Sequence, residues 1–262
     1  MFRDLEIEQR GGVASIWMNR PNVHNAFDEN LISELSEALR QLKDDPEARV
    51  IILSGRGSSF SAGADLNWMK RAAGYTPVEN LWDARSLAGM LRTLAHLPKP
   101  TLARVQGATL GGGLGLVSAC DIAVASTSAY FAASEVRLGL IPATIAPYVI
   151  SAIGERQAHR YFLTGERLSA RRAAEIGLVH AVTEPERLDL TLSGIVDALL
   201  AGGPLAQAAV KDLIRGVTAA PDAESLPERT AQQIAALRAT AEAVEGVGAF
   251  LDKRSPTWKS KR

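Results

Sequence analysis

The stretch Thr101-Leu102-Ala103-Arg104-Val105-Gln106-Gly107-Ala108-Thr109-Leu110-Gly111-Gly112-Gly113-Leu114-Gly115-Leu116-Val117-Ser118-Ala119-Cys120 decides how this chain is read. Thr101–Val105 follows the breaker Pro98-Lys99-Pro100 and reads as a strand. Consecutive glycines then open an apolar segment that reads as a buried helix. A strand feeding a helix is the repeating unit of an α/β protein, and the flanks continue it. Upstream, Val13–Met18 is a strand. Glu29–Leu42 is an amphipathic helix, because Leu31, Ile32, Leu35, Ala38, Leu39 and Leu42 recur at helical spacing. Val50-Ile51-Ile52-Leu53, ended by Ser54-Gly55, suits a strand buried on both faces. The Gly- and Ser-rich stretch 55–64 is expected to be irregular loop.

Thr76-Pro77-Val78-Glu79 predicts a helix start with a capping box, the helix running past Leu94. Downstream, Ile122–Ala125 and Ala129–Ala132 are short strands. After about residue 155 the pattern turns helical. Ser169–Ile176 ends at Gly177, a left-handed cap. Pro204–Gly216 follows. A second capping box, Ser225-Leu226-Pro227-Glu228, predicts one long helix through Ala231, Ile234, Leu237 and Ala241. The basic tail Lys253–Arg262 is expected to be loose. The fold class is α/β with a helical C-terminal part.

The chain has 262 residues, with 29 basic and 29 acidic side chains. Such balance argues against a dedicated nucleic-acid or polybasic membrane binder. A domain of this length buries enough surface to fold without disulfides or metal. Cys120 is the single cysteine, so no intrachain disulfide or multi-Cys metal site exists. The charged start Met1–Glu6 does not read as a signal peptide, and glycines and prolines interrupt the two most apolar stretches. A cytoplasmic protein is expected. His24, His96, His159 and His180 lack zinc-site spacing.

Three segments could carry chemistry. At Gly107–Gly115, bare glycine backbone and a helix N-terminus offer free N–H donors and partial positive charge. That suits an oxyanion hole. Gly113-Leu114-Gly115 also partly fits a dinucleotide turn, and the plain alternative is a tight turn packing helix on sheet. Phe60-Ser61-Ala62-Gly63-Ala64-Asp65-Leu66 could supply a second N–H, or be a surface turn with Asp65 capping the next helix. Glu135 lies among Phe131, Ala132, Ala133 and Val136. If buried there, its carboxyl is driven up in pKa and can carry a proton; otherwise it is a rim glutamate.

Taken together these segments resemble the enoyl-CoA hydratase/isomerase (crotonase) superfamily. The match runs from Asn19-Arg20-Pro21 and Asn25-Ala26 through Phe60–Leu66, Pro100–Ile122, Ser134-Glu135 and Leu138–Pro142 to Leu163–Glu166, Ala173–Val179 and Phe250–Arg254. The resemblance implies a crotonase-like spiral of ββα repeats over 1–195 and a C-terminal helical trimerisation region over 196–262. It implies homotrimers, often paired into hexamers, and an acyl-CoA thioester substrate, with no separate cofactor because coenzyme A belongs to the substrate. By motif position it places the oxyanion hole at the N–H groups of Ala64 and Gly112. It places the coenzyme A contacts at Asn25, Ala26, Ala62, Ala64, Asp65, Leu66, Asn67, Gly112, Phe250 and Lys253.

Members of the superfamily commonly carry two glutamates. Glu135 matches the second; the first falls at position 115, which here is Gly115. Ala64–Arg71 with Gly74-Tyr75, Gly111–Val117 and Ile145–Val149 are similar to methylglutaconyl-CoA-type hydratases and to neighbouring isohexenylglutaconyl-CoA hydratases. The resemblance thus implies hydration of a branched 2-enoyl-CoA with Glu135 as acid/base. A double-bond isomerase, another crotonase-type reaction and a non-catalytic acyl-CoA binder are the alternatives. Lys70, Arg71 and Arg92 are candidates for contacting a substrate carboxylate.

Overall fold

The computed structural model describes residues 2–219 and 224–259. Among the described residues, nine strands form two sheets. The larger has the order β1 (Leu5–Arg10), β2 (Val13–Met18), β3 (Val50–Gly55), β4 (Thr101–Val105), β6 (Ile122–Ser126), β9 (Ala181–Thr183). Only β1 and β2 are antiparallel; the rest are parallel. The smaller sheet holds β5 (Ala108–Leu110), β7 (Tyr130–Ala132) and β8 (Leu168–Ser169). Twice the chain lays one strand in each sheet before a helix: β4 and β5 precede α4 (Gly112–Ala119), and β6 and β7 precede α5 (Ala146–Thr164). Those are the expected ββα turns.

The core lies between the large sheet and the helices α1 (Glu29–Asp44), α3 (Pro77–Ala95), α4 and α5. The six apolar positions predicted for α1 are its buried residues, and Asp28 caps it by accepting from the Leu31 N–H at 2.9 Å. The Thr76–Glu79 capping box opens α3 as predicted. Asp65 caps α2 (Leu66–Ala72). Gly177, in the left-handed region, follows α6 (Ala170–Glu175). On the opposite face of the sheet, Leu188, Leu192 and Val196 of α7 (Leu188–Ala201) pack on Val50, Leu102 and Val124.

Three expectations change. β1 was not anticipated; its backbone pairing to β2 holds it. The long C-terminal helix is two, α9 (Leu226–Arg238) and α10 (Ala241–Leu251). Ser225 already has helical torsions, so the second capping box does not form, whereas Thr240 caps α10. The described part of the tail is also held. Trp258 donates its indole N–H to the Ala201 carbonyl, and Arg49 donates to the carbonyls of Leu200, Gly202 and Trp258. Residues 260–262 lie outside the described residues. No single described helix is long and apolar enough to cross a membrane.

Candidate active site

The stretch 55–64 has no helix or strand beyond the end of β3, as its composition predicts, but it is not loose. Its last half is laced between two partners. On one side Ser61 bridges Thr109 in parallel: its N–H donates to the Ala108 carbonyl, and its carbonyl accepts from Leu110. On the other side Phe27 bridges Ala64, donating to the Gly63 carbonyl at 2.7 Å and accepting from the Asp65 N–H at 2.8 Å. A parallel bridge of this kind uses the residues that flank Ala64. The N–H of Ala64 therefore points away from Phe27, and it donates to no partner among the described residues.

The second donor comes from α4. Gly111 has φ +48°, a torsion that favours glycine, and spends its own N–H on the Ala132 carbonyl. Gly112 is the first helical residue, so its N–H has no acceptor within the helix. The two segments touch: a β-carbon added to Gly111 would lie 3.8 Å from Gly63 Cα. Neighbouring glycines are needed for packing. A β-carbon on Gly113 would stand 2.7 Å from the Ser61 carbonyl, and one on Gly112 3.1 Å from the Phe27 ring. Gly113 and Gly115 are buried against protein, so the dinucleotide reading of that dipeptide finds no ligand surface there.

Glu135 completes the group. It follows β7 and opens a 3-10 turn, Glu135–Leu138. Its Oε1 lies 3.3 Å from where a β-carbon on Gly111 would stand, so the carboxyl hangs over the donor turn. It is half-buried, and its Oε2 is buried with no hydrogen-bond partner among the described residues. Burial pushes the Glu135 carboxyl above the ordinary glutamate range. A buried oxygen without a partner is costly unless something else meets it, as a reacting group does.

Position 115 is closed. A β-carbon there would fall 2.4 Å from Ile145 Cγ2 and 3.5 Å from Leu91 Cδ1, and both side chains are fully buried. No side chain fits at 115 while Ile145 stands.

The other sequence-predicted residues divide. Ala64, Leu66 and Asn67 are exposed beside the donor turn and Ala62 is half-exposed. Asn25 and Asp65 are buried and face inward. Asn25 accepts from the Arg20 N–H and donates to the carbonyls of Arg56 and Ser59. Asp65 accepts from the N–H groups of Asn67 and Trp68 and pairs with Arg20. Ala26 is buried and its carbonyl accepts from Arg20. Phe250 (81% exposed) is the penultimate residue of α10, which packs on α9 and on α8 (Pro204–Thr218); Lys253 follows the helix, also exposed. Arg71 is occupied by Glu29, and Arg92 lies near Tyr148. Cys120 is half-buried behind α4, and burial pushes its thiol far up, away from nucleophile chemistry.

Sequence reasoning missed Arg20, Phe27, Leu91 and Ile145. Arg20 pairs with both helix caps, Asp28 at 2.8 Å and Asp65 at 3.1 Å. Its place between the landmarks Asn19 and Pro21 was the available signal. Phe27, Leu91 and Ile145 act by occupying space, which no local pattern marks.

Comparison with known proteins shows the family. Residues 8–261 match the family profile described as enoyl-CoA hydratase/isomerase. A crystal structure of an enoyl-CoA hydratase from Shewanella pealeana is 42% identical, superimposes with a TM-score of 0.95, and is covered to 96% by 98% of this chain. The short-chain-enoyl-CoA hydratase of Clostridium acetobutylicum is 31% identical over 97% of this chain and 96% of its own length. The 1,2-epoxyphenylacetyl-CoA isomerase of Escherichia coli is 33% identical over 95% and 96%. Two free backbone donors beneath a half-buried glutamate, in a spiral that matches along its whole length, make this chain a member of the enoyl-CoA hydratase/isomerase family of the crotonase superfamily.

Proposed function

We propose that this protein hydrates a branched 2-enoyl-CoA, of the methylglutaconyl type, with Glu135 as its acid/base. The observation that carries the reading is the Glu135 carboxyl poised over the Gly111–Gly112 turn. The thioester oxygen accepts from the N–H groups of Ala64 and Gly112. Glu135 takes a proton from water as the water oxygen bonds to C3, and the double-bond electrons move onto the thioester oxygen as an enolate. The donors bind that oxygen more strongly as its charge grows, which lowers the barrier. The protonated Glu135 then delivers its proton to C2, so one water is added and the acid is restored. Leu66 and Asn67, exposed beside Ala64, border the coenzyme A arm.

A second reading is favoured by Ile145. With position 115 closed, Glu135 is the one carboxylate in the described site, and one carboxylate suffices to carry a proton from C4 to C2 in a double-bond shift. The deciding experiment presents straight-chain, methyl-branched and methylglutaconyl 2-enoyl thioesters, and a 3-enoyl thioester, side by side. Loss of conjugated-thioester absorbance with a 3-hydroxyacyl product supports hydration. Gain of that absorbance from the 3-enoyl compound supports isomerisation instead.

The same reading includes a homotrimer or dimer of trimers in the cytoplasm. Its support is the exposed apolar set Val244, Val247, Phe250 and Leu251 on α10, beside Ile234 on α9.

A further inference from the structure

We propose that Ile145 is a positioning residue for Glu135: packed on the bare α4 backbone at Gly115, it walls off the proton carrier and leaves this site with a single acid. The inference rests on the reading of Glu135 as proton carrier. Gly111, the N-cap of α4, and Gly115 lie one turn apart, joined by the hydrogen bond from the Gly115 N–H to the Gly111 carbonyl at 3.0 Å. Glu135 covers Gly111, and Ile145 covers Gly115. The 3-10 turn that bears Glu135 also packs on α5, whose N-terminal cap is Ile145. The acid and the isoleucine are therefore successive neighbours along one helix.

Ile145 supplies a β-branched, stiff side chain with 1% exposure, seated where glycine leaves a groove in the helix. Leu91 of α3 closes the groove from the other side. The fit works both ways: glycine is required because Ile145 stands there, and Ile145 fits because Gly115 has no side chain.

Charged neighbours do not replace this wall. α4 carries no titratable residue. Arg137, on the turn itself, lies against Gly165, with Nε 3.1 Å from a β-carbon placed there. Asp65 of the donor loop is engaged by Arg20 and the start of α2. From α5 the nearest titratable side chain in sequence to Ile145 is Tyr148, and from α3 Arg92 lies toward that tyrosine. Burial holds Glu135 up in pKa, and the buried Ile145 sits one helical turn from the Gly111 backbone that Glu135 covers.

The test compares Ile145→Ala, Ile145→Val and Gly115→Ala singly, and Gly115→Ala with Ile145→Ala. The first readout needs no substrate: carboxyl ¹³C NMR titration of glutamate-labelled protein, the Glu135 signal being the one lost in Glu135→Gln. Ile145→Ala is expected to lower the Glu135 midpoint toward the ordinary range, with Ile145→Val lowering it measurably in the same direction but by less. Turnover on the best thioester of the panel is expected to fall about tenfold in Ile145→Ala, less than the roughly 10²–10⁴ that loss of the proton carrier itself costs. Gly115→Ala alone is expected to lower Tm, and adding Ile145→Ala to restore it. A folded Ile145→Ala protein with an unmoved Glu135 midpoint would overturn the proposal; should it not fold, an unmoved midpoint and equal turnover in Ile145→Val do so. Absence of turnover by the wild type defeats the assigned reaction, while the titration still decides the role of Ile145.

Discussion

Glu135 is expected to dominate any mutational survey of the site. Glu135→Gln keeps shape and removes the proton carrier. Turnover on a 2-enoyl thioester should fall by about 10²–10⁴, while acyl-CoA affinity, measured by calorimetry, stays within a few-fold. The same substitution should raise stability at neutral pH. A carboxyl whose folded pKa lies above its unfolded value adds stability fully below the ordinary 4.5, and that stability is lost as pH rises through the folded value. The Tm of Glu135→Gln should thus exceed wild type at pH 7, and the gap should close below pH 4.5. Equal Tm at both pH values would refute the burial argument. Glu135, Ala64 and Gly112 were legible because acids and glycine turns leave marks in a sequence. Phe27 and Ile145 were not, because filling a volume has no pattern of its own.

Short elements carry the precision of the site, and their glycines are the weak points. Gly107, at φ +60° between β4 and β5, would place a β-carbon 1.9 Å from the Ser58 carbonyl. Gly107→Ala is therefore expected to cost about 3 kcal/mol or more, from combined backbone strain and clash, read by urea denaturation. Arg49 is the corresponding point in the C-terminal part. Arg49→Ala removes three hydrogen bonds from a charged donor and should cost about 2–3 kcal/mol, with Trp258 fluorescence changing as the tail detaches. That tail was misread because its basic composition says nothing of Trp258 docking beside Ala201. The break between α9 and α10 was misread because the strong Ser225 cap signal hid the Thr240 signal inside the same periodic run. α1, α3 and β3 were legible because their burial pattern is set by their own residues.

At the scale of the whole molecule, the alternation of strand and helix was readable over most of the first two thirds, and the sheet order was not. β5 and β7 leave the large sheet, a choice made by long-range pairing that local propensity does not encode. The exposed α10 face belongs to this level too. Val244→Asp with Val247→Asp should convert a self-associated protein to monomer in size-exclusion chromatography; an unchanged elution volume would remove the proposed interface. Arg20 has a consequence at this level as well. It clasps the first turns of α1 and α2 to one cation, so these two helices share a common anchor. A bulky guest entering past α2 must then swing the helix from its far end, like a door on a fixed post. The mouth can widen while the peptide bond just before that post stays aimed.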